Sequence, residues 1–276
     1  MRNRIFRSIV YSALLILLAG LSVPAARAQE NNEPPVKPVS KPQTPLSAGK
    51  HTGFGINLFI NNFGFGVGGQ FRRVISPMSE LTFSADITGI RDVSEQTFTS
   101  FFGQQVVPNK YQRVLAFPFY FGIKHRFLAH EIQDNFRLYG AAAVGPVLTF
   151  IYPYYKDYNN NGYRDLGQYS YYEPVNDFFS GWKDGSTKWG LAGQLKVGVD
   201  FGKNFSHLSS VEFGYSIYYF GSGIQVMDPN RPLLDNQGQP VGWNPPDDLN
   251  YETVSFYKPE KYFGTPQISF TFGWMW

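Results

Sequence analysis

The residues best suited to binding a metal ion lie in one short stretch near the middle of the 276-residue chain. Oxygen-bearing side chains recur there at alternate positions, and Gly162 allows the sharp turn that would bring them together. The candidate ligands are Asp157, Asn159, Asn161, the main-chain carbonyl of Tyr163, and Asp165. Oxygen ligands that converge in this way suit Ca²⁺, which is a hard cation. The stretch therefore predicts a calcium site in a loop, and no other cofactor is indicated.

The spacing that starts at Asp157 resembles the beginning of an EF-hand calcium loop, D-x-[DN]-x-[DN]-G. The twelfth position holds Gln168 rather than the usual bidentate Glu, which leaves Glu173 as a candidate to complete the shell. Because only two carboxylates are in place, the resemblance implies weak binding, on the order of millimolar. The alternative is an Asn- and Gly-rich turn at a loop tip that holds no ion.

Catalytic chemistry has less support in the sequence. There is no cysteine, which excludes a disulfide framework, a thiolate metal site and a cysteine nucleophile. The histidines are His51, His125, His130 and His207, and none stands in a recognisable Ser, His and acid spacing. We therefore predict no catalytic residue and interpret the histidines as turn or interface residues.

The segments that would position these groups alternate bulky apolar residues with small or polar ones. In the last of them, Tyr262–Trp276, Phe270, Phe272 and Trp274 fall on one face, and Thr271 lies on the other. A period of two predicts a β-strand with unlike faces. The same alternation recurs in seven earlier stretches, at residues 52–60, 63–75, 81–91, 111–127, 136–152, 187–203 and 208–226. The sequence therefore predicts eight strands.

The composition indicates which face of these strands points outward. Aromatic residues make up 18% of the chain and charged residues only 16%, whereas about 25% charged is usual in a soluble protein. An eight-stranded barrel encloses only enough space for side chains or one small ligand, so these many large rings would not fit inside. The other face is rich in Gly, Ala, Ser and Thr, which suit a crowded interior. We therefore predict that the aromatic face, including Phe63 and Phe65, contacts lipid.

Several charged residues fall on the predicted inner face. They are Arg72, Asp86, Lys124, Arg126, Arg137, Lys196, Asp200 and Glu212. A buried charge costs several kcal/mol unless an opposite charge pairs with it. We predict that these side chains neutralise one another and plug the lumen, and the alternative is a path for an ion or solute.

The connections between the predicted strands alternate in length. Residues 76–80, 128–135 and 204–207 form short connections, whereas 92–110, 153–186 and 227–260 form long ones. Short periplasmic turns and longer extracellular loops are typical of outer-membrane barrels, so both termini are predicted to be periplasmic. The first hairpin, with its turn predicted near Asn61 and Asn62, is the exception because its outer loop is very short.

The start of the chain is typical of a secretory signal peptide over residues 1–28. Arg2, Arg4 and Arg7 precede an apolar run, and Ala26-Arg27-Ala28 follows as a small-x-small cleavage site. The alternative is an uncleaved anchor helix, but the apolar run is shorter than the roughly 20 residues that cross a membrane. Removing the leader takes away four of the 24 basic residues and none of the 21 acidic ones. The mature chain is then close to neutral, which does not favour nucleic-acid binding.

Residues 29–50 contain five prolines and predict an extended periplasmic linker. Two interpretations of this linker remain open. It is either a disordered lead-in or a docking segment for a periplasmic partner or the cell wall.

Residues 51–276 as a whole resemble the small bacterial outer-membrane barrels of the OmpA/OmpX kind in strand number, alternation and loop lengths. Trp276 is similar to the terminal aromatic residue that the barrel-insertion machinery reads in such proteins. The resemblance implies an all-β, eight-stranded, antiparallel, up-and-down transmembrane barrel in the outer membrane of a Gram-negative-type bacterium. It implies contact with outer-membrane lipid and lipopolysaccharide, and it transfers no functional residue.

The function we expect is non-enzymatic, with a monomeric barrel in a structural, adhesive or surface-binding role. The long loops are rich in tyrosine, and exposed tyrosines suit a binding surface for an extracellular ligand. Two alternatives stay open, a lipid A-modifying enzyme at the barrel rim and a narrow solute channel.

Overall fold

The computed structural model describes residues 43–99, 105–129, 136–164, 175–202, 205–242 and 251–276, with residues 105 and 106 described through their backbone alone. Some of the sequence-based predictions lie outside these ranges. They are the signal peptide over 1–28, most of the linker over 29–50, Asp165, Gln168, Glu173 and His130.

The described residues form β-strands and one short 3₁₀ helix, Trp182–Asp184. In chain order the strands are β1 (Thr52–Asn61), β2 (Gly64–Val74), β3 (Ser79–Ile90), β4 (Phe98–Thr99), β5 (Gln105–Val106), β6 (Gln112–Arg126), β7 (Phe136–Pro153), β8 (Ser186–Phe201), β9 (His207–Ile224), β10 (Asn230–Pro232), β11 (Thr253–Ser255) and β12 (Glu260–Met275). Eight of them close into an antiparallel barrel in the order β1, β2, β3, β6, β7, β8, β9, β12. In the described part of the chain, no helix has the length and apolar character needed to cross a membrane.

The eight-stranded, all-β, antiparallel barrel predicted from the sequence is confirmed. Its strands begin and end within a few residues of the predicted bounds. Closure comes from β1 and β12, which pair from Gly53 with Met275 to Asn61 with Gln267. Two further small sheets, β4 with β5 and β10 with β11, lie in the loops. The sequence does not predict these sheets, because strands of two or three residues are too short to show a period.

Side chains on the outer surface of the barrel are mostly apolar, whereas many charged and polar side chains are buried inside it. On β6, the exposed fraction is 60% for Phe121 but 2% for Tyr120, its neighbour in the chain. Outward-facing rings also meet across strands, with the ring centres of Phe83 and Phe121 4.9 Å apart. This arrangement reverses that of a soluble protein and is typical of transmembrane barrels.

Phe63 faces the opposite way from the prediction. The first hairpin turns at Asn62 and Phe63, after which Gly64 pairs back with Asn61. The side chain of Phe63 therefore folds inward, where it is 6% exposed, whereas Phe65 is 64% exposed. The prediction for Phe63 was wrong because a two-residue turn interrupts the alternation of the strands.

The lumen has two halves of different character. The apolar half lies at the loop end, from which the long connections emerge, and contains Phe63, Ile90, Val114, Ala116, Tyr120, Ala143, Val147, Ile151, Ala192, Tyr218, Phe220, Ile224, Val226 and Phe263. The charged half lies nearer the terminal end, where β1 begins and β12 ends. Below the charges, a smaller apolar cluster of Val74, Phe205, Leu208 and Met275 fills the terminal end.

The described part of the predicted linker, residues 43–50, forms a turn rather than an extended chain. The amide of Ala48 donates to the carbonyl of Thr44 at 3.1 Å, and the amide of Lys50 donates to the carbonyl of Pro45 at 2.8 Å. Leu46 packs against the apolar cluster at the terminal end. Prolines favour an extended conformation, but the turn lets the apolar side chain of Leu46 pack against the end of the barrel.

Candidate functional site

A network of buried charges occupies the charged half of the lumen, and Asp200 on β8 lies at its centre. Lys124 on β6 donates from Nζ to both carboxylate oxygens of Asp200, at 2.8 and 2.7 Å, and Ser210 Oγ donates to Oδ1 at 2.6 Å. The guanidinium groups of Arg72 and Arg126 lie 3.6 and 3.8 Å from the same carboxylate. One carboxylate therefore faces three cations, which come from β2 and β6.

Glu80, at the start of β3, also belongs to this cluster, although the sequence analysis does not select it. Its Oε1 accepts from Nη2 of Arg126 at 2.8 Å, and its Oε2 lies 3.9 Å from Nη1 of Arg72. The predicted turn ends at Glu80, so the sequence analysis assigns this residue to no face. The signal was nevertheless present, because Glu80 precedes Thr82 and Ser84 at the alternate positions that face the lumen.

Glu212 on β9 is the centre of a smaller group beside the first. Its Oε2 accepts from Nζ of Lys196 and from Oγ of Ser269, both at 3.1 Å, and its Oε1 accepts from the Tyr139 hydroxyl at 2.7 Å. Nζ of Lys124 lies 3.6 Å from the centre of the Tyr139 ring, a cation–π contact. This contact joins the two groups into one continuous network.

Two predicted members of the network lie at its margins. Asp86 is buried beside Gly68 on β2, nearer the loop end, and any side chain at position 68 would overlap its carboxylate. Arg137 lies near the terminal end and donates from Nη1 to the carbonyl of Gly202 at 2.9 Å. Its guanidinium also lies 4.4 Å from the centre of the Phe205 ring. Neither residue takes part in the ion pairs described above.

The buried charges of the barrel strands are equal in number and opposite in sign. Among the described strand residues, the buried cations are Arg72, Lys124, Arg126 and Lys196, and the buried anions are Glu80, Asp86, Asp200 and Glu212. Mutual attraction offsets the cost of removing each ion from water, which amounts to several kcal/mol. A cavity among Gln70, Gln194 and Glu212 has a volume of about 10 Å³, near the minimum that holds one water molecule.

The predicted calcium loop folds into a tight turn around Asp157. The Oδ1 atom of Asp157 accepts from the amide of Asn161 at 3.2 Å, and its Oδ2 accepts from the amide of Gly162 at 2.9 Å. The side-chain oxygen of Asn159 accepts from the amide of Asn161 at 3.3 Å, and that of Asn161 accepts from the amide of Tyr163 at 2.8 Å. Gly162 has a φ of 71°, which glycine adopts without strain.

This turn fits both interpretations of the sequence. Hydrogen bonds from backbone amides to Asp and Asn side chains occur in ordinary Asn- and Gly-rich turns. Each accepting oxygen keeps a second lone pair, so the same turn also presents oxygens to a hard cation. Within the described ranges, no three His, Cys, Asp or Glu side chains come together in a way that would hold a metal ion. Calcium binding by this loop stays a prediction.

The turn packs on the last long loop near Asp228. Nδ2 of Asn230 donates to the carbonyl of Asn161 at 2.8 Å. Asp228 is fully buried, and its Oδ1 accepts from the Tyr155 hydroxyl at 3.1 Å. Burial raises the pKa of Asp228 to about 7, and the Asp157 carboxylate acts in the same direction, whereas the hydrogen bond from Tyr155 opposes the rise. The described parts of two long loops thus meet around a buried carboxyl group.

The described histidines lie near the terminal end. His51 precedes β1, and His207 begins β9. His125 on β6 has its Nδ1 atom 2.9 Å from Oγ of Ser79, and its ring meets that of Phe127 edge-on, with centres 5.5 Å apart. A catalytic histidine also needs a group that orients it, and the contacts described for His125 include no carboxylate.

Three solved structures are similar to this chain in fold. The N-terminal β-barrel domain of Pseudomonas aeruginosa OprF is 8% identical, with a TM-score of 0.35, over 82% of this chain and 99% of its own. Neisserial surface protein A is 9% identical, with a TM-score of 0.37, over 83% of this chain and 97% of its own. Ail, the attachment invasion locus protein of Yersinia pestis, is 8% identical, with a TM-score of 0.35, over 82% of this chain and 97% of its own. No protein-family model and no curated protein sequence matches the chain.

Proposed function

We propose that the protein is a non-enzymatic barrel of the bacterial outer membrane, with a plugged lumen and a structural or surface-binding role. The observation that carries this proposal is the reversed polarity of the barrel, with bulky apolar side chains outside and a charge-balanced network inside. In water, exposed apolar surface costs roughly 25 cal/mol per Å². In a bilayer the same surface contacts hydrocarbon, and a closed ladder of strands satisfies the backbone polar groups.

The plugged lumen is supported by the network and by the small space left within it. A planar-bilayer recording of the purified barrel tests this part of the proposal. We expect no steady conductance from the wild-type protein, because paired side chains fill the path. A steady open conductance would favour the narrow solute channel instead.

The surface-binding role is supported by aromatic side chains in the long loop between β7 and β8. The rings of Phe178, Phe179 and Trp182 lie 5.0–5.9 Å apart and are 49%, 67% and 40% exposed. Exposed aromatic clusters of this kind suit binding to a ligand or to lipopolysaccharide. Replacing all three with serine should reduce binding of the whole protein to lipopolysaccharide or host-cell surfaces, whereas the same change at Leu234, which is exposed in another loop, should not.

The orientation in the membrane is the next part of the proposal, with both termini in the periplasm and the long loops outside. The absence of cysteine makes this directly testable with single-cysteine variants. On intact cells, a membrane-impermeant thiol reagent should label Gln237→Cys in the last long loop but not Ser47→Cys near the terminal end. Labelling of Ser47→Cys alone would indicate the opposite orientation. We also propose that the insertion machinery reads the end of β12.

A lipid A-modifying enzyme is the second candidate. The contact between Ser79 and His125 would favour it only in the reversed orientation, because in the proposed one both residues lie at the periplasmic end, away from lipid A. Mass spectrometry of lipid A from cells with and without the protein separates the two functions. Identical spectra are expected for a non-enzymatic barrel. An acyl change that disappears in Ser79→Ala would support the enzyme.

A further inference from the structure

The barrel wall opens at the loop end between β2 and β3. The last pair joining these strands is Val67 with Ile87, although β2 begins at Gly64 and β3 continues to Ile90. On the two outer sides of this split, β1 stays paired with β2 as far as Gly64, and β3 stays paired with β6 as far as Ile90. The hydrogen-bonded wall is therefore interrupted between the ends of two neighbouring strands.

A cavity of about 390 Å³ lies at this split. Its lining includes the outward-facing side chains of Phe65 and Ile87 and the inward-facing side chains of Phe63, Ile90 and Val114. In a continuous sheet the backbone separates the two faces, so residues of both faces line one cavity only where the wall is open. The volume falls within the range of roughly 300–1,000 Å³ found for small-molecule sites.

The rim of the cavity at the loop end is basic. Among the described residues that line it, Arg91, Lys110 and Arg113 are charged and none is acidic. Nζ of Lys110 lies 2.6 Å from the carboxylate of Glu95, so this pair is neutral. Nη1 of Arg113 donates to the main-chain carbonyl of Asp177 at 2.5 Å, and the two arginines are the other charged residues of the lining. Arg113 also lies 4.8 Å from the centre of the Tyr154 ring, which fixes its position at the rim.

The cavity therefore combines an apolar interior, an opening on the lipid-facing surface and a cationic rim. An anionic lipid has the complementary shape and charge, because its acyl chain is apolar and its phosphate accepts hydrogen bonds from arginine. A neutral lipid would offer no net charge to the two guanidinium groups.

We propose that this cavity binds one acyl chain of lipid A, the lipid part of lipopolysaccharide, with a phosphate at Arg91 and Arg113. Lipid A rather than a phospholipid follows from the position of the cavity at the loop end, which faces the outer leaflet in the orientation proposed above. The inference rests on that proposed membrane location. It adds a specific lipid site to the general lipid contact of the outer surface.

Gly89 offers a way to fill the cavity without removing a charge. It lines the cavity on the outward face of β3, and a Cβ atom there would meet nothing closer than 3.5 Å. The matched control is Gly193 on β8, where a Cβ atom on the outer surface would meet nothing closer than 3.9 Å. Gly89→Phe should block the cavity, whereas Gly193→Phe should add a ring to the lipid-facing surface on another part of the barrel.

The experiment measures lipid binding to the full detergent-solubilised barrel by native mass spectrometry, with diphosphoryl lipid A, phosphatidylglycerol and phosphatidylcholine as separate probes. We expect the wild-type protein and Gly193→Phe to bind lipid A about tenfold more tightly than phosphatidylglycerol, because a phosphate monoester carries up to one more negative charge than a phosphodiester. Phosphatidylcholine, which has no net charge, should bind no more tightly than phosphatidylglycerol. Gly89→Phe should lose this preference. Arg91→Gln should weaken lipid A binding several-fold and leave phosphatidylcholine binding unchanged.

Three results would overturn the proposal of a lipid A site. Equal lipid A binding by Gly89→Phe and the wild type would show that the cavity is not the site. Equal loss in both glycine variants would show non-specific lipid on the outer surface, and equal binding of lipid A and phosphatidylglycerol would reject lipid A as the occupant. If Gly89→Phe does not fold, as judged by far-UV circular dichroism, Arg91→Gln decides. A wild-type chain that fails to insert into bilayers would instead reject the proposed function.

Discussion

The two halves of the lumen are built from the same alternating strands but are filled in opposite ways. In the charged half, Lys124, Arg72 and Arg126 surround Asp200, and the stability of each side chain depends on its partners. In the apolar half, side chains such as Val147 and Phe220 are fully buried and need only good packing. The difference teaches that an inward position in this barrel does not by itself mean a polar residue. Whether an inward side chain is charged or apolar depends on how far it lies from the loop end and from the terminal end of the barrel.

The largest effect should come from unbalancing the charged half. Asp200→Asn removes the charge that faces three cations while keeping the size of the side chain. We expect a loss of about 3–5 kcal/mol in the free energy of unfolding, because the cations stay buried without compensation. Urea unfolding in lipid vesicles measures this change.

Asp184→Asn in the 3₁₀ helix is the matched control for that prediction, because Asp184 is exposed. It should change the stability by less than about 0.5 kcal/mol. If Asp200→Asn were as mild as the control, the charged half would not be a coupled network.

A somewhat smaller loss is expected in the apolar half. Phe220→Ala leaves a cavity where the ring now packs against Phe263, with ring centres 6.0 Å apart. We expect a loss of about 3–4 kcal/mol in the free energy of unfolding. Phe220→Leu, which keeps most of the volume, should cost about 1.5 kcal/mol or less in the same urea experiment. If the polar replacement Phe220→Asn destabilised the protein no more than Phe220→Leu does, this would contradict the apolar character of this half.

The loop packing above the apolar half should depend on pH through Asp228. Its pKa is raised to about 7 by burial, with Asp157, Arg164 and Tyr155 as the other groups that act on it. A raised carboxyl pKa stabilises the packed state at low pH, and that contribution is lost as the pH rises through 7. Between pH 5 and pH 8, the free energy that favours packed over separated loops should fall by roughly 2–3 kcal/mol. This value assumes that the pKa of Asp228 is near 3.9 once the loops separate.

Limited proteolysis with EDTA present, corrected at each pH with an unstructured peptide, measures this effect on the loops. The wild-type protein should be cut faster at pH 8 than at pH 5, and Asp228→Asn should remove the difference. Faster cutting of the wild type at pH 5 would mean that the charged form of Asp228 is the one that holds the loops together.

The smallest effect should be calcium binding at the turn around Asp157. Titration calorimetry of the folded barrel should show calcium-dependent heat only at concentrations on the order of millimolar, and Asp157→Ala should abolish it. Asp235→Ala is a matched control, because Oδ1 of Asp235 accepts the amides of Gln237 and Gln239 in a similar turn of another loop. The absence of calcium-dependent heat, or equal loss in both variants, would leave the loop as an ordinary turn.

Particular residues show how far the sequence analysis reached. The alternation in Tyr262–Trp276 predicted the closing strand and its outward aromatic face, because the direction of a strand side chain is set by its neighbours in the chain. The same argument missed Glu80 and misplaced Phe63, since each lies where a strand meets a turn and the alternation stops. The apolar filling of the loop end was also missed, because residues such as Val114 and Phe220 belong to stretches whose inner faces also carry glycine and polar residues.

The sequence by itself determined the number of strands, their faces and the set of charges available to the lumen, because a period of two is a local property of the backbone. Only the tertiary structure decided which charges meet. Lys124 and Asp200 lie 76 residues apart, on β6 and β8, which β7 separates in the barrel, so their contact crosses the inner face of β7 and depends on the register of three strands. The split between β2 and β3 has the same origin, since pairing length depends on the geometry of two strands together rather than on the pattern within either one.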